Sequence, residues 1–162
     1  MGGRYGDVPL RCRAVAAAII AGPFGSEGGD TARILALRRA GEVAGGAWGL
    51  ITGSIEPGET AIEAILREVA EETGIRATEL FTAGLTETFY FGPDNVLELM
   101  PIFVTFVPEP VSVTLDHGSD QFRWCSLAEA RDLFSFAGQR RALADIWHDF
   151  VDRAPAPFRR LL

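Results

Sequence analysis

Lysine is absent from this chain of 162 residues; all fifteen of its basic side chains are arginine. That excludes chemistry through a lysine Schiff base and leaves any phosphate to be met by guanidinium groups or by a cation. Cysteine is nearly absent too. Cys12 and Cys125 are too few and too far apart for a zinc knuckle or a disulfide framework, and both are expected as buried thiols in a reducing, cytoplasmic setting. No run of five or more basic residues occurs and the net charge is −7, which argues against a nucleic-acid backbone as partner.

Long hydrophobic runs are lacking as well. The stretch Ala14 to Ala21, preceded by Arg4, Arg11 and Arg13, has the look of a signal peptide, but it is short and is expected to be a buried strand. Gly6 stands where N-myristoylation needs Ser or Thr, so no membrane attachment is expected. With 48% apolar side chains the chain can bury one core and not comfortably two, so a single domain over residues 1–162 is expected, its core over about 10–152 and residues 153–162 a tail. That tail, past Ala154-Pro155-Ala156-Pro157, is expected to be loose or to pack on a partner subunit, with a homodimer in view.

What is present is concentrated between residues 53 and 75. Gly53, Glu59, Arg67, Glu68, Val69, Glu71, Glu72, Gly74 and Ile75 stand at fixed intervals there. Thr60 and Glu63 form a capping box that opens a helix, and Gly74 ends it. Ile62, Ile65, Leu66 and Val69 share one arc of that helix, while Glu68, Glu71 and Glu72 fill the neighbouring arc. Three carboxylates so close repel one another, so the arrangement has no stability motive unless a cation sits among them, and oxygen ligands favour Mg²⁺ or Mn²⁺ over zinc. Glu63 lies off the acid arc, where its cap explains it. Arg67, beside the arc, is expected to reach back to Glu59, and the loop of residues 50–58 can turn a backbone carbonyl of Thr52 or Gly53 toward the same cation.

These residues resemble the Nudix hydrolase signature and match it at every defining position. The resemblance implies an α/β/α sandwich around a mixed sheet, of α/β (α+β) class. It also implies Mg²⁺-dependent hydrolysis of a diphosphate joined to another group, usually in a nucleotide-like small molecule. Glu68, Glu71 and Glu72 are then the implied metal ligands, with Glu68 or a loop acid as base, and Glu59 with Arg67 as the structural pair of the catalytic set. The segments Trp48 to Glu56, Phe122 to Ala130 and Gln139 to Ala142, with His117, are similar to the dihydroneopterin triphosphate and dATP pyrophosphatase branch. In one respect the chain departs from that branch: Asp116-His117 stands further from Trp124 than in relatives, which leaves Asp116, Asp120 and Glu98 as alternatives for a loop base.

Elsewhere, residues 11–21, 32–39, 78–91, 96–107 and 122–125 read as strands, with a Gly-rich turn from Gly22 to Asp30 and a turn at Gly92 to Asn95. Pro101 suggests an edge position or a bulge. Ser126 and Glu129 cap a helix to about Phe134. Leu143, Ile146, Trp147, Phe150 and Val151 form the stripe of a last amphipathic helix whose His148 faces solvent. Trp48, Tyr90, His117 and Asp116 are the candidate substrate contacts, Phe89 and Phe91 sharing the strand of Tyr90, which also stands near where relatives that cleave diadenosine polyphosphates carry a tyrosine. The expected activity is cleavage of a nucleoside-triphosphate-like compound to monophosphate and pyrophosphate. The alternatives are a dinucleoside polyphosphate or other nucleoside-diphosphate-linked substrate, and a non-catalytic nucleotide sensor.

Overall fold

The computed structural model describes residues 6–23, 25 and 29–162. Expectations that fall on Met1 to Arg4, and on part of the turn from Gly22 to Asp30, lie outside the described residues. Among the described residues the chain forms one sheet of eight strands and three α-helices. The strands are β1 (Leu10–Arg11), β2 (Ala14–Ala21), β3 (Arg33–Arg39), β4 (Trp48–Gly49), β5 (Ile51–Ser54), β6 (Phe81–Phe91), β7 (Val96–Val107) and β8 (Ser119–Cys125). The helices are α1 (Ala61–Thr73), α2 (Leu127–Leu133) and α3 (Ala137–Phe150).

The apolar run of β2 is explained by its place in the middle of this sheet. It runs parallel to β7 and antiparallel to β5 and β3, and both of its faces are covered. Ala16, Ala18 and Ile20 face a core shared with Phe134, Leu143, Ile146, Trp147 and Phe150 of the α2 and α3 side. Val15, Ala17 and Ile19 face a second core with Ile65 and Val69 of α1. A strand buried on both faces shows no polar alternation. The expected sandwich and mixed sheet are therefore what the chain forms, and no helix among the described residues is long and apolar enough to cross a membrane.

The helix α1 begins and ends where its caps require. The Thr60 side chain accepts from the Glu63 amide, Glu63 returns to the Thr60 amide, and Gly74 closes the helix at φ 73°, a left-handed conformation that suits glycine. Ile65 and Val69 are fully buried, and Ile62 and Leu66 pack partly buried at the margin. The loop ahead of α1 is held back onto it by one ion pair. Arg67 donates through Nε to Glu59 Oε1 at 2.7 Å and through Nη2 to Glu59 Oε2 at 2.9 Å, as the spacing predicted. The Arg67 guanidinium, with the Glu56 amide beside it, brings the Glu59 carboxyl down from 4.5 to about 2.

Three expectations are corrected. Cys12 is exposed, because it falls in the break between β1 and β2 and not in a covered strand; Cys125 is buried as expected. β7 is an interior strand with β6 along one side, so Pro101 is not at an edge, and the register shift in the β6–β7 ladder lies in β6 between Thr82 and Leu85. The strand tolerates a residue without an amide proton because β1 pairs at Leu97 and Glu98 and β2 only from Ile102 onward, which leaves Pro101 in the gap. The tail is tied to its own domain. Leu161 N donates to Leu80 O at 2.7 Å, Phe81 bridges Arg160, and Arg159 reaches the Ala83 carbonyl and pairs with Asp149 at 2.8 Å. Bonded there, the tail covers an otherwise free end of β6.

Two stability predictions arise from these ties. Arg159→Ala should lower the melting temperature by about 2–6 °C, since it removes an ion pair and a hydrogen bond worth about 1–2 kcal/mol together; an unchanged melting curve would show the tail to be an ornament. Glu59 has a folded-state pKa below its ordinary value, so its stabilising contribution is complete above about pH 4.5 and is lost as pH falls toward 2. Urea midpoints of the chelated protein over that interval should therefore fall more steeply for wild type than for Glu59→Gln, and parallel curves would remove Glu59 as a source of acid sensitivity.

Candidate active site

The acid arc of α1 faces a loop that has no room for a side chain. A Cβ built on Gly53 would stand 1.9 Å from Cδ of Glu68, so only glycine lets that carboxylate lie against the end of β5. There Glu68 Oε1 accepts from Ser54 N at 3.1 Å and from Arg67 Nη1 at 2.9 Å. The same Nη1 reaches Glu71 Oε2 at 3.1 Å, and Nη2 reaches the Ser54 carbonyl at 2.9 Å. Glu71 is the solvent-facing member of the group, with its side chain 56% exposed.

Glu72 lies deeper. Burial, followed by the like charges of Asp116 and Glu68, pushes its carboxyl up to about 8, with Arg39 working in the opposite direction. Asp116 belongs to the turn before β8, where its Oδ1 accepts from Gly118 N at 2.8 Å, and the open backbone of Gly118 lies close to Glu72 Oε1. Glu68, Glu71, Glu72 and Asp116 thus form a neighbourhood of carboxylates with oxygen donors only, the donor chemistry that suits a hard divalent cation. A desolvated carboxyl amid three like charges would be relieved by such a cation, so the donor chemistry fits one. Among the described residues, no three or more His, Cys, Asp or Glu side chains are placed so that together they could hold a metal ion.

Beside this group opens a cavity of about 800 Å³ on the α3 side of the sheet, and Thr52, Gly53 and Ser54 form part of its wall. Arg39, also in the wall, donates to Thr52 Oγ1 at 3.1 Å. Four guanidinium groups, of Arg11, Arg13, Arg39 and Arg141, border a space that is otherwise largely apolar. Glu98 is one of its buried acids: Oε2 accepts from Arg11 Nε at 2.5 Å and Oε1 from the Arg13 amide at 2.7 Å.

The structure brings Glu59, Arg67, Glu68 and Glu71 into one network, with Glu72 and Asp116 adjoining. Of the aromatic residues proposed to face the cleft, Trp48 and Tyr90 are placed elsewhere. Trp48 packs partly buried against the core of the α3 side, and Tyr90 is 57% exposed with its hydroxyl on Asn95 Oδ1; neither lines the cavity. Phe89 and Phe91 of the same strand do, together with Phe136. His117 is exposed in the turn next to Asp116. Of the alternative loop acids, Asp120 is held by a two-point pair with Arg38 and Glu98 by Arg11, so Asp116 is the one adjoining Glu72.

Sequence reasoning missed Arg39, Glu87, Gln139 and Arg141 as cavity residues. For Glu98 a signal existed: it lies between Val96 and Met100, a strand position whose neighbours in the pattern are buried, whereas Glu87 stands between half-buried Leu85 and exposed Phe89 and has only its cross-strand partner Met100 buried.

Comparison with known proteins agrees with this geometry. The model of the NUDIX domain matches residues 13–146. Over 140 residues the chain is 33% identical to an octanoyltransferase of Myxococcus xanthus; that match takes in 85% of this chain but only 37% of the relative's length. It is 31% identical over 114 residues to the asymmetrical bis(5'-nucleosyl)-tetraphosphatase of Rattus norvegicus, with 67% of this chain and 75% of that one covered. The solved dihydroneopterin triphosphate pyrophosphohydrolase of E. coli superposes with a TM-score of 0.66 at 23% identity, with 85% and 93% of the two chains covered, a likeness of fold. With its signature complete and the NUDIX domain matched over residues 13–146, the chain belongs to the Nudix family, whose members hydrolyse phosphoric anhydride bonds in nucleotide-type substrates.

Proposed function

We propose that this chain cleaves a nucleoside-triphosphate-like compound, dihydroneopterin triphosphate or a nucleoside triphosphate, between the α and β phosphates to give a monophosphate and pyrophosphate. The observation that carries this reading is the seating of Glu68 against Gly53, which joins the acid arc to the wall of an arginine-bordered cavity. In this reading the cavity would receive one flat heterocycle and a triphosphate, whereas a dinucleotide would need room for a second base. The cue toward dinucleoside polyphosphates in the sequence was Tyr90, and its ring lies outside the cavity. The second reading, hydrolysis of a dinucleoside polyphosphate, is favoured by the rat tetraphosphatase relative.

In the proposed site Glu68, Glu71 and Glu72 would hold the divalent cation, Mg²⁺ or Mn²⁺, that Nudix enzymes generally use, with a carbonyl of Thr52 or Gly53 beside them. When bound, that cation would polarise the phosphoryl oxygens and ease deprotonation of water. The chain's own groups would do the rest. Arg39 and its neighbours along the wall would orient the phosphates, Arg67 would fix the Glu68 and Glu71 carboxylates, and Glu68 or Asp116 would take the proton from the attacking water. The complete set of acids sets this reading apart from a non-catalytic sensor.

Glu68→Gln and Glu72→Gln should each lower kcat by about a hundredfold or more with the fold retained, because each keeps side-chain volume while removing a charge. Activity should vanish in chelator and return with Mg²⁺ or Mn²⁺, while Ca²⁺, with its longer and looser coordination, should support turnover poorly. A variant that keeps more than half the wild-type rate, or Ca²⁺ turnover equal to that with Mg²⁺, would overturn the site assignment. Product identity settles the substrate class. Pyrophosphate from triphosphates, at a kcat/KM at least about tenfold above that for diadenosine tetraphosphate, is the expected outcome; AMP plus ATP from diadenosine tetraphosphate as the fastest reaction would favour the second reading.

A further inference from the structure

The cavity contains a polar atom that the protein leaves unsatisfied. Glu87, on β6 opposite Met100 of β7, lines the cavity at 7% exposure, and its Oε2 is buried without a hydrogen-bond partner. The side chain is held in place from behind. A Cβ on Gly138, at the start of α3, would stand 2.7 Å from both Cγ and Oε1 of Glu87, so glycine there is what admits the carboxylate. Gln139, 2% exposed, lies beside the same carboxylate, and its own Oε1 is occupied by the Leu50 amide at 2.8 Å. With that oxygen committed, Gln139 has no acceptor left to offer Glu87.

A buried acceptor without a donor is costly, and the native remedy is a partner that brings one. Burial pushes the Glu87 carboxyl above its usual range, and a pair of N–H donors from a ligand would offset that cost by favouring the ionised form. We propose that Glu87 selects substrates bearing the 2-amino-4-oxo pyrimidine edge shared by guanine and reduced pterins, accepting the adjacent ring N–H and amino N–H of that edge. Adenine brings an amino N–H next to a ring nitrogen lone pair, which a carboxylate repels. Phe89 and Phe136, in the same wall, supply apolar surface for a flat ring. A site built around a hydrogen bond discriminates strongly against an analogue that cannot make it. This inference rests on the cavity being the place of the nucleotide-like part of the substrate, and it makes Glu87 a specificity-determining residue outside the acid arc.

The test separates recognition from cleavage. Titration calorimetry on the full chain in chelator, with GMP, 7,8-dihydroneopterin and AMP as probes, should show GMP or dihydroneopterin binding at least about tenfold tighter than AMP. The tighter of the first two then identifies the source of the edge. In Glu87→Gln that preference should fall to within about twofold, with AMP binding little changed. Gly138→Ala, which crowds the carboxylate without touching its charge, should erode the preference as well, and melting curves of both variants show whether they are folded. A preference for AMP in wild type, or a preference that survives in both variants, would overturn the proposal. With Mg²⁺, equal kcat/KM for dGTP and dATP in wild type and Glu87→Gln alike would also overturn it while leaving triphosphate cleavage intact. Loss of the binding preference in Glu87→Gln, in a protein that cleaves no triphosphate, would uphold Glu87 and defeat the proposed reaction.

Discussion

Arg67 is the group on which the geometry of the site depends. Its guanidinium has five N–H donors, and the five hydrogen bonds it makes run to both oxygens of Glu59, to Glu68, to Glu71 and to the Ser54 carbonyl. A single planar fork thus joins the strand end, the loop and the helix, and it supplies positive charge beside an arc of acids that would otherwise spread apart. A lysine could not replace it, since one ammonium cannot span acceptors on three segments in fixed directions. Gly53 is the counterpart of this fork. Arg67 draws Glu68 toward β5, and the missing side chain at residue 53 lets it arrive.

This part of the molecule was legible in the sequence because it is local. Glu59, Arg67, Glu68 and Glu71 are related by helical geometry and one short loop, so their spacing carries their contacts. The cavity is different. Arg11 and Glu98 meet across 87 positions of sequence, and Leu50 and Gln139 across 89, through a parallel pairing of β1 and β2 with β7 and the approach of α3. No periodicity within one element reports such a meeting. The aromatic residues near the signature divide for a related reason: Trp48 packs partly buried against the core of the α3 side and Tyr90 faces solvent, while Phe89 and Phe91 line the cavity.

Tertiary contacts also decided the places where local rules failed. Pro101 sits in an interior strand because β1 gives way to β2 beside it and leaves a register gap. The residues after α3 read as a tail because alanine and proline end regular structure, yet the pair of Arg159 with Asp149 and the bonds to Leu80 draw them back onto β6. The patterns that did carry through were those with a chemical cause inside the element: the two capping boxes, the stripe of α3 and the doubly covered β2.

The site as a whole is built on separation of charge. The chain is acidic, at −7, yet its cavity is bordered by arginines, while Glu68 of the acid arc lies against Gly53, a residue of the cavity wall. A polyphosphate alone would be repelled by the acid arc, and a cation alone would gain nothing from the arginine wall. A polyphosphate together with a divalent cation would satisfy both halves, since the cation would relieve the desolvated Glu72 and the wall would receive the remaining phosphate charge. Glu87 and Glu98 then stand out as acids on the wrong side of that division. Glu98 is accounted for by Arg11 and the Arg13 amide. Glu87 keeps a buried oxygen without a donor in a cavity bordered by arginines, and the proposed occupant would answer it with the N–H groups at its uncharged end.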